Sequence, residues 1–411
     1  MKVAILCAGL DHVHRGYESS SLHLFHGLRA ERELDVTLIK GSGSPSPRVR
    51  RARCLRRDRR LARLLTQIVG WRRDSPQPRM NDPIVHQEQT LSELIGRAAR
   101  LKLEARPNDF EEFTFAMWAC ATTTVRASEV LVVSEIGVAQ VMTALRNRFR
   151  LNYRVLFANG GSPPGPPPYP FADLVQQLTG PAYDIAREAG EPDERQVLLP
   201  RAFSFAPAGP PVDAGERAEL RRRLGLPQHR PVVLSVGAIN FRTKRHDHLL
   251  REVASMGPNR PFVQLLGYGE NVREARALAV DLLGAEGFGI ASVRPEAVDD
   301  YYRAADIFAL ASYDEGFGRV YVEAAGWGLP LLVHDSPATR WVLEDLAVYV
   351  DMSKPGELRA ALERMLLVVC ADQASRERRQ RRVRARFEWN ALRPDYLRVL
   401  HRCAGLSPRR E

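Results

Sequence analysis

The chain alternates short apolar runs with longer stretches of mixed, helix-like composition. In the first half the runs cover residues 3–7, 36–39, 130–133, 154–158 and 197–199; in the second they cover 231–237, 262–266, 305–312 and 331–333. Runs this short and this apolar predict strands covered on both faces, as in parallel sheets, rather than helices. Alternating strand and helix signals along 411 residues, 45% of them hydrophobic, predict an α/β protein with two sizeable cores. A proline- and glycine-rich stretch at 206–212 precedes a charged helical segment, which places a linker or hinge at 206–228 between units at 1–205 and 229–385. Residues 386–411 end the chain as a helix, with Phe387, Trp389, Leu392 and Tyr396 as its packing residues.

The most informative junction follows the run at 305–312. There Glu315-Gly-Phe-Gly-Arg-Val-Tyr-Val-Glu323 sets two carboxylates eight positions apart across a glycine-rich turn that opens a helical stretch at 320–328. Ligands bind open parallel sheets at such strand-to-helix junctions. The first N–H groups of a helix lack partners and lie at the positive end of its dipole, so the amides of Phe317, Gly318 and Arg319 can take a diphosphate, and Gly316 and Gly318 permit its close approach. Glu323, one to two turns into the helix, can accept both hydroxyls of a ribose through its two oxygens, whereas Glu315 on the loop can reach a transferred sugar. An isolated pair at this spacing is better explained by an ordinary turn whose first glutamate favours the helix N-terminus and whose second is merely exposed; the surrounding sequence reverses that balance.

The setting of this pair resembles the family-four (group 1) retaining glycosyltransferases of the GT-B fold, which carry a Glu-x7-Glu motif followed by Gly-Leu-Pro and a further strand. Gly328-Leu329-Pro330-Leu331-Leu332-Val333-His334-Asp335 continues the similarity, and Pro231-Val-Val-Leu-Ser-Val-Gly237 looks like the first strand of the donor domain. Lys244 falls at the family's phosphate-binding lysine. The resemblance covers roughly residues 230–350. It implies two Rossmann-like doubly wound domains facing across a cleft: an acceptor-side domain at 1–205, a nucleotide-sugar-binding domain at 229–385 and a terminal helix at 386–411 that crosses back to the first. The implied activity is transfer of a sugar from a nucleoside-diphosphate sugar to an acceptor hydroxyl with retention.

In that reading Lys244, Glu315 and Arg242 are the catalytic residues. Many members have an arginine directly after the glycine that ends the first donor strand. This chain has Ala238 there and places Arg242 a few residues later. Only five of its 60 basic residues are lysines, so a lysine at 244 is a specific choice rather than a generic surface charge. Gly237, Gly267, Gly269, Gly316, Phe317, Gly318, Arg319 and Glu323 form the donor-binding set, although Gly267-Tyr-Gly269 is explained equally by a plain turn. His14, Arg15 and Gly16, in the loop after the first strand, and Asn159, where several members carry a histidine, are the acceptor-side set. No cofactor or metal is expected: His12, His14, His23 and His26 have no accompanying Cys or Glu cluster, and the leaving diphosphate is met by Lys244, Arg242 and helix amides.

Charge changes the picture in one place. The net charge of +11 sits almost entirely in residues 48–73, where eleven arginines face Asp58 alone. Leu61, Leu64, Leu65, Ile68 and Val69 recur among them at helical spacing, which makes a basic amphipathic segment. Such a segment packs on its own domain, lies on an anionic membrane surface, or binds nucleic acid; with Trp71 as its one aromatic it offers no stacking platform, so nucleic acid is not expected. No run approaches the ~18 apolar residues of a membrane span, and residues 1–10 read as a strand, not a signal peptide. Five scattered cysteines without a CxxC pair fit reduced thiols and a cytoplasmic location, with contact at the inner membrane face as the extension of the basic segment. The expected partners are a nucleotide sugar and a small-molecule, lipid-carrier or glycan acceptor. Non-catalytic nucleotide-sugar binding, an epimerase and a phosphorylase remain the alternatives.

Overall fold

A computed structural model describes residues 1–13, 16–58, 107–160, 167–205, 212–368 and 373–407. The chain folds as two compact units: the first comprises residues 1–178, 183–199 and 393–411, the second residues 179–182 and 200–392.

In the first unit seven strands, β1 (Lys2–Cys7), β2 (Asp35–Lys40), β3 (Val49–Arg51), β4 (Val130–Val133), β5 (Arg154–Ala158), β6 (Leu174–Gln177) and β7 (Gln196–Leu198), form one sheet in the order β3-β2-β1-β4-β5-β6-β7. Every pairing is parallel. The second unit has six strands, β8 (Val232–Val236), β9 (Phe262–Leu266), β10 (Phe288–Ala291), β11 (Ile307–Leu310), β12 (Leu331–His334) and β13 (Ala347–Val350), in the order β10-β9-β8-β11-β12-β13, again all parallel. The central strands are buried end to end, as in β4 and β11, which is why they read as continuous apolar runs. Both sheets reverse their order of winding once, between β1 and β4 and between β8 and β11. Loops that leave neighbouring strands in opposite directions open a crevice at such a point.

The two units share a packing device. Asp173, just before β6, accepts from Arg146 and from the Val155 amide at 2.7 Å. Asp306, just before β11, accepts from Arg221 at 2.5 Å, from Arg217 at 3.1 Å and from the Val232 amide at 2.7 Å. Each aspartate is buried and would be costly without its arginine.

Three boundaries differ from the sequence expectation. The charged helix Ala214–Leu224, capped by Asp213, is not part of a linker: its Arg217 and Arg221 are tied to Asp306 inside the second unit. The chain therefore stays in that unit from residue 200 onward, and only 206–211 of the expected hinge lie outside the described residues. The closing helix Trp389–Gly405 passes from one unit to the other between Leu392 and Arg393 rather than at 385. Its later part joins the first unit, where Tyr396 accepts from Gln176 at 3.2 Å and Val399, Leu400 and Cys403 are buried.

The basic segment also divides. Residues 59–73 lie outside the described residues. Of the rest, Val49–Arg51 form β3, and Arg57 pairs with Glu111 and lies 3.8 Å from Glu112, so this guanidinium serves the interior of the first unit and not a solvated face. Among the described residues no helix is long and apolar enough to cross a membrane. Cys7, Cys54, Cys120 and Cys403 are free thiols; Cys370 lies outside the described residues.

Candidate functional site

The loops that leave β8 and β11, on either side of the second unit's winding reversal, bring the catalytic candidates together. After β8 the chain runs through Gly237 to a tight turn closed by Asn240, whose Oδ1 accepts from the amides of Thr243 and Lys244, both at 2.9 Å, and from the Thr243 hydroxyl at 2.8 Å. This turn fixes the backbone of Lys244. Buried His246 supports it from below, its Nδ1 lying 3.3 Å from the Asn240 carbonyl. Burial holds the imidazole pKa down to about 4, so the ring is neutral and Nδ1 donates.

The two loops touch at two places. Lys244 Nζ pairs directly with Glu315 Oε1. Arg245 lies 3.8 Å above the Tyr313 ring, and both groups donate to the Met352 carbonyl, Arg245 at 2.7 Å and Tyr313 at 3.1 Å. Arg245 and Tyr313 escaped the sequence reading because stacking between loops far apart in sequence leaves no spacing signal. Arg242 is exposed and makes no ion pair among the described residues.

Gly318 caps the helix Arg319–Gly326 with φ +68°, and a Cβ there would lie 2.2 Å from the buried Tyr321 ring. Only glycine fits this position. The amides of Gly316, Phe317 and Gly318 have no hydrogen-bond partner among the described residues. The Phe317 side chain turns the other way, packed near Phe203 and Phe387 at 6.2 and 5.7 Å between ring centres, so this residue offers a ligand its amide and anchors the loop with its ring.

Glu323, inside that helix, has both oxygens engaged: Oε1 accepts from Arg319 at 3.1 Å and Oε2 from the Tyr302 hydroxyl at 3.1 Å. Burial and then the Glu323 charge push the Tyr302 hydroxyl well above its usual range, which keeps it a donor. Tyr302 was not singled out from the sequence, where it reads as one more aromatic core residue.

Gly267 and Gly269 have a structural task. A Cβ on Gly267 would stand 1.9 Å from the Gly237 carbonyl oxygen, and one on Gly269 would stand 2.2 Å from that of Ile239. The loops after β8 and β9 interlock backbone to backbone, with Ile239 N donating to Tyr268 O at 2.7 Å. These glycines let the Lys244 loop settle, and Tyr268 between them stands half exposed.

His14 and Arg15 lie outside the described residues, and Gly16 opens the helix Gly16–Leu28 as an exposed residue. Asn159 is 6% exposed, and its amide nitrogen donates to Tyr169 and Gln177 at 3.1 and 2.8 Å. At the β1/β4 reversal Glu135 accepts from the Gly9 amide at 2.9 Å, and His12, Glu111 and Arg57 form a chain of contacts. Among the described residues no group of three or more His, Cys, Asp or Glu could hold a metal ion.

Residues 216–385 match the family "Glycosyl transferases group 1". The D-inositol 3-phosphate glycosyltransferase of Xylanimonas cellulosilytica is 31% identical over 248 residues, 58% of this chain and 58% of that protein. The enzyme of the same name from Streptomyces coelicolor is 34% identical over 181 residues, 39% of each. The alignments thus span less than two thirds of these relatives. Among solved structures, sucrose-phosphate synthase from Thermosynechococcus elongatus superposes with a TM-score of 0.71 at 16% identity, covering 97% of this chain and 98% of that one. Anabaena HepE, solved with UDP and glucose, superposes with a TM-score of 0.66 at 16% identity, covering 98% and 99%. The chain has the GT-B fold of these solved structures, and residues 216–385 within its second unit are similar to the group 1 glycosyltransferases.

Proposed function

We propose that the protein is a retaining glycosyltransferase that moves a sugar from a nucleoside-diphosphate sugar to an acceptor hydroxyl. The observation that carries this reading is the pairing of Lys244 with Glu315 at the β8/β11 reversal, beside a glycine-capped helix that carries Glu323 and whose preceding amides have no hydrogen-bond partner among the described residues. Lys244 and Arg242 meet the diphosphate together with the amides of Gly316, Phe317 and Gly318, and stabilise the charge that grows on it as the bond from the anomeric carbon breaks. Glu315 orients the sugar and Glu323 receives the ribose hydroxyls. The bond from the acceptor oxygen forms on the face the diphosphate leaves, and the departing phosphate oxygen takes the acceptor proton, so the step balances without an enzymic base. In this reading positive side chains and amides do what a metal would do, and no cofactor is needed.

The relatives narrow what to test. HepE's complexes with UDP and UDP-glucose make uridine diphosphate sugars the first donors to try, and the names of the curated relatives make D-inositol 3-phosphate a first acceptor. Free thiols among the described residues favour a cytoplasmic location. Contact of residues 48–73 with an anionic bilayer is part of the proposal, tested by flotation with liposomes with and without anionic lipid; equal flotation on both ends it. The transfer itself is tested by incubating the protein with a donor and acceptor panel and following the product anomeric signal by NMR. An α-donor giving an α-linked product supports the reading. Sugar released without an acceptor indicates an epimerase, a requirement for inorganic phosphate a phosphorylase, and binding without turnover a non-catalytic protein.

A further inference from the structure

Glu323 is held by two partners of different kinds. Arg319 belongs to the same helix, one turn earlier; its guanidinium also lies 5.2 Å above the Phe203 ring and remains partly exposed. Tyr302 comes from a separate helix, Val298–Ala304, and is 1% exposed, with its ring near Phe308 at 6.1 Å and its hydroxyl on Glu323 Oε2. Arg319 can exchange its bond to Oε1 for one to an arriving anion or hydroxyl. Tyr302 has nowhere else to go.

A glutamate side chain turns about three bonds, and accepting a vicinal diol through both oxygens requires the carboxylate at one depth and in one plane. Each carboxylate oxygen has two acceptor directions. The Tyr302 hydroxyl occupies one on Oε2 and leaves the other for a ligand. We propose that Tyr302 is a positioning residue that fixes the Glu323 carboxylate so that both its oxygens meet the 2′- and 3′-hydroxyls of the donor ribose. This rests on the donor-site reading above. It separates two parts of nucleotide affinity: the share from the diol depends on Tyr302, and the share from the diphosphate does not.

The test is calorimetric titration of wild type, Tyr302→Phe and Glu323→Gln with UDP, ADP and GDP, and then of the tightest of these against its 2′,3′-dideoxy counterpart. Phenylalanine keeps the ring and its packing, and the hydroxyl touches Glu323, so the variant is expected to fold with a melting temperature close to wild type. The wild type should prefer the ribose form by about 10-fold or more, as expected for hydrogen bonds to a charged acceptor. Tyr302→Phe should lose most of that preference yet bind the dideoxy form within about twofold of wild type. Full retention of the preference in Tyr302→Phe, or equal weakening of both forms, overturns the proposal and makes Tyr302 a structural residue. Failure of the wild type to bind any of the diphosphates, or absence of a diol preference that Glu323→Gln removes, overturns the donor-site reading itself and this proposal with it.

Discussion

Lys244 Nζ and Glu315 Oε1 are paired across the β8/β11 reversal, so the cation assigned to the diphosphate and the carboxylate assigned to the sugar hold each other. Neither is fully buried, and an ion pair in that setting adds little to stability, about 0–1 kcal/mol. Its value lies in readiness: Lys244 is already turned toward the site and exchanges one anion for another when a diphosphate arrives. Lys244→Ala should therefore lower kcat/KM by about 10²–10³-fold while changing unfolding free energy by no more than about 1 kcal/mol. Parallel kinetics and urea unfolding check this, and equal losses in both would make Lys244 structural.

The same pairing separates binding from transfer at the other partner. Glu315→Gln frees Lys244 from its counter-charge, so the nucleoside diphosphate product should bind as tightly as in wild type or more tightly, while turnover falls. Calorimetry with the diphosphate beside a turnover assay reads both. Weaker diphosphate binding in this variant would show that Glu315 does not face the transferred sugar.

Gly267 tests whether the interlocked glycine loops belong to the site. A methyl group there meets the Gly237 carbonyl, which is backbone and can yield only by moving the Lys244 loop. Gly267→Ala should destabilise the second unit by about 1–3 kcal/mol and weaken donor binding together with it. Normal melting and normal affinity would mean that the loop adapts without consequence.

His246 gives the account a pH dependence. Its pKa is held down to about 4 from the ordinary 6.5 by burial, so below pH 6.5 the unfolded chain binds a proton that the folded one refuses. Stability from this group is full above 6.5 and falls as the pH drops toward 4, by up to about 3 kcal/mol. His246→Gln should flatten that part of the stability curve, measured by urea unfolding at stepwise pH. An unchanged slope would assign it to other groups.

Much of this site could be read in the sequence because its signals are local. The Glu315–Glu323 spacing, the glycine at 318 and the lysine at 244 lie within single loops or one helix, and the strands beside them are buried on both faces and hence continuously apolar. What escaped depends on contacts between segments distant along the chain. Tyr302 and Glu323 belong to different helices, and Arg245 and Tyr313 to different loops, and nothing in the spacing of either pair records that they touch. Strand β6 escaped for a related reason: Gln176 and Gln177 are polar, and they are buried only because Leu199 O, Tyr396 and Asn159 satisfy them from elsewhere. Asn159 belongs to the same polar interior, donating to Gln177 and Tyr169, partners that its position at a strand end does not record. Strand β3 was hidden among arginines, one of whose near neighbours, Arg57, is taken inside by Glu111.

The central claim is that a nucleoside-diphosphate sugar sits at the β8/β11 reversal with its ribose on Glu323. The most direct measurement is a thermal-shift titration of wild type and Glu323→Gln against a panel of nucleoside diphosphates and nucleotide sugars without added metal, since a ligand bound only to the folded state raises its melting temperature. The account predicts a saturable rise with one nucleotide sugar and its diphosphate, and in Glu323→Gln a loss of about 1–3 kcal/mol of binding free energy. No rise with any of them, or the same rise in both proteins, would contradict it.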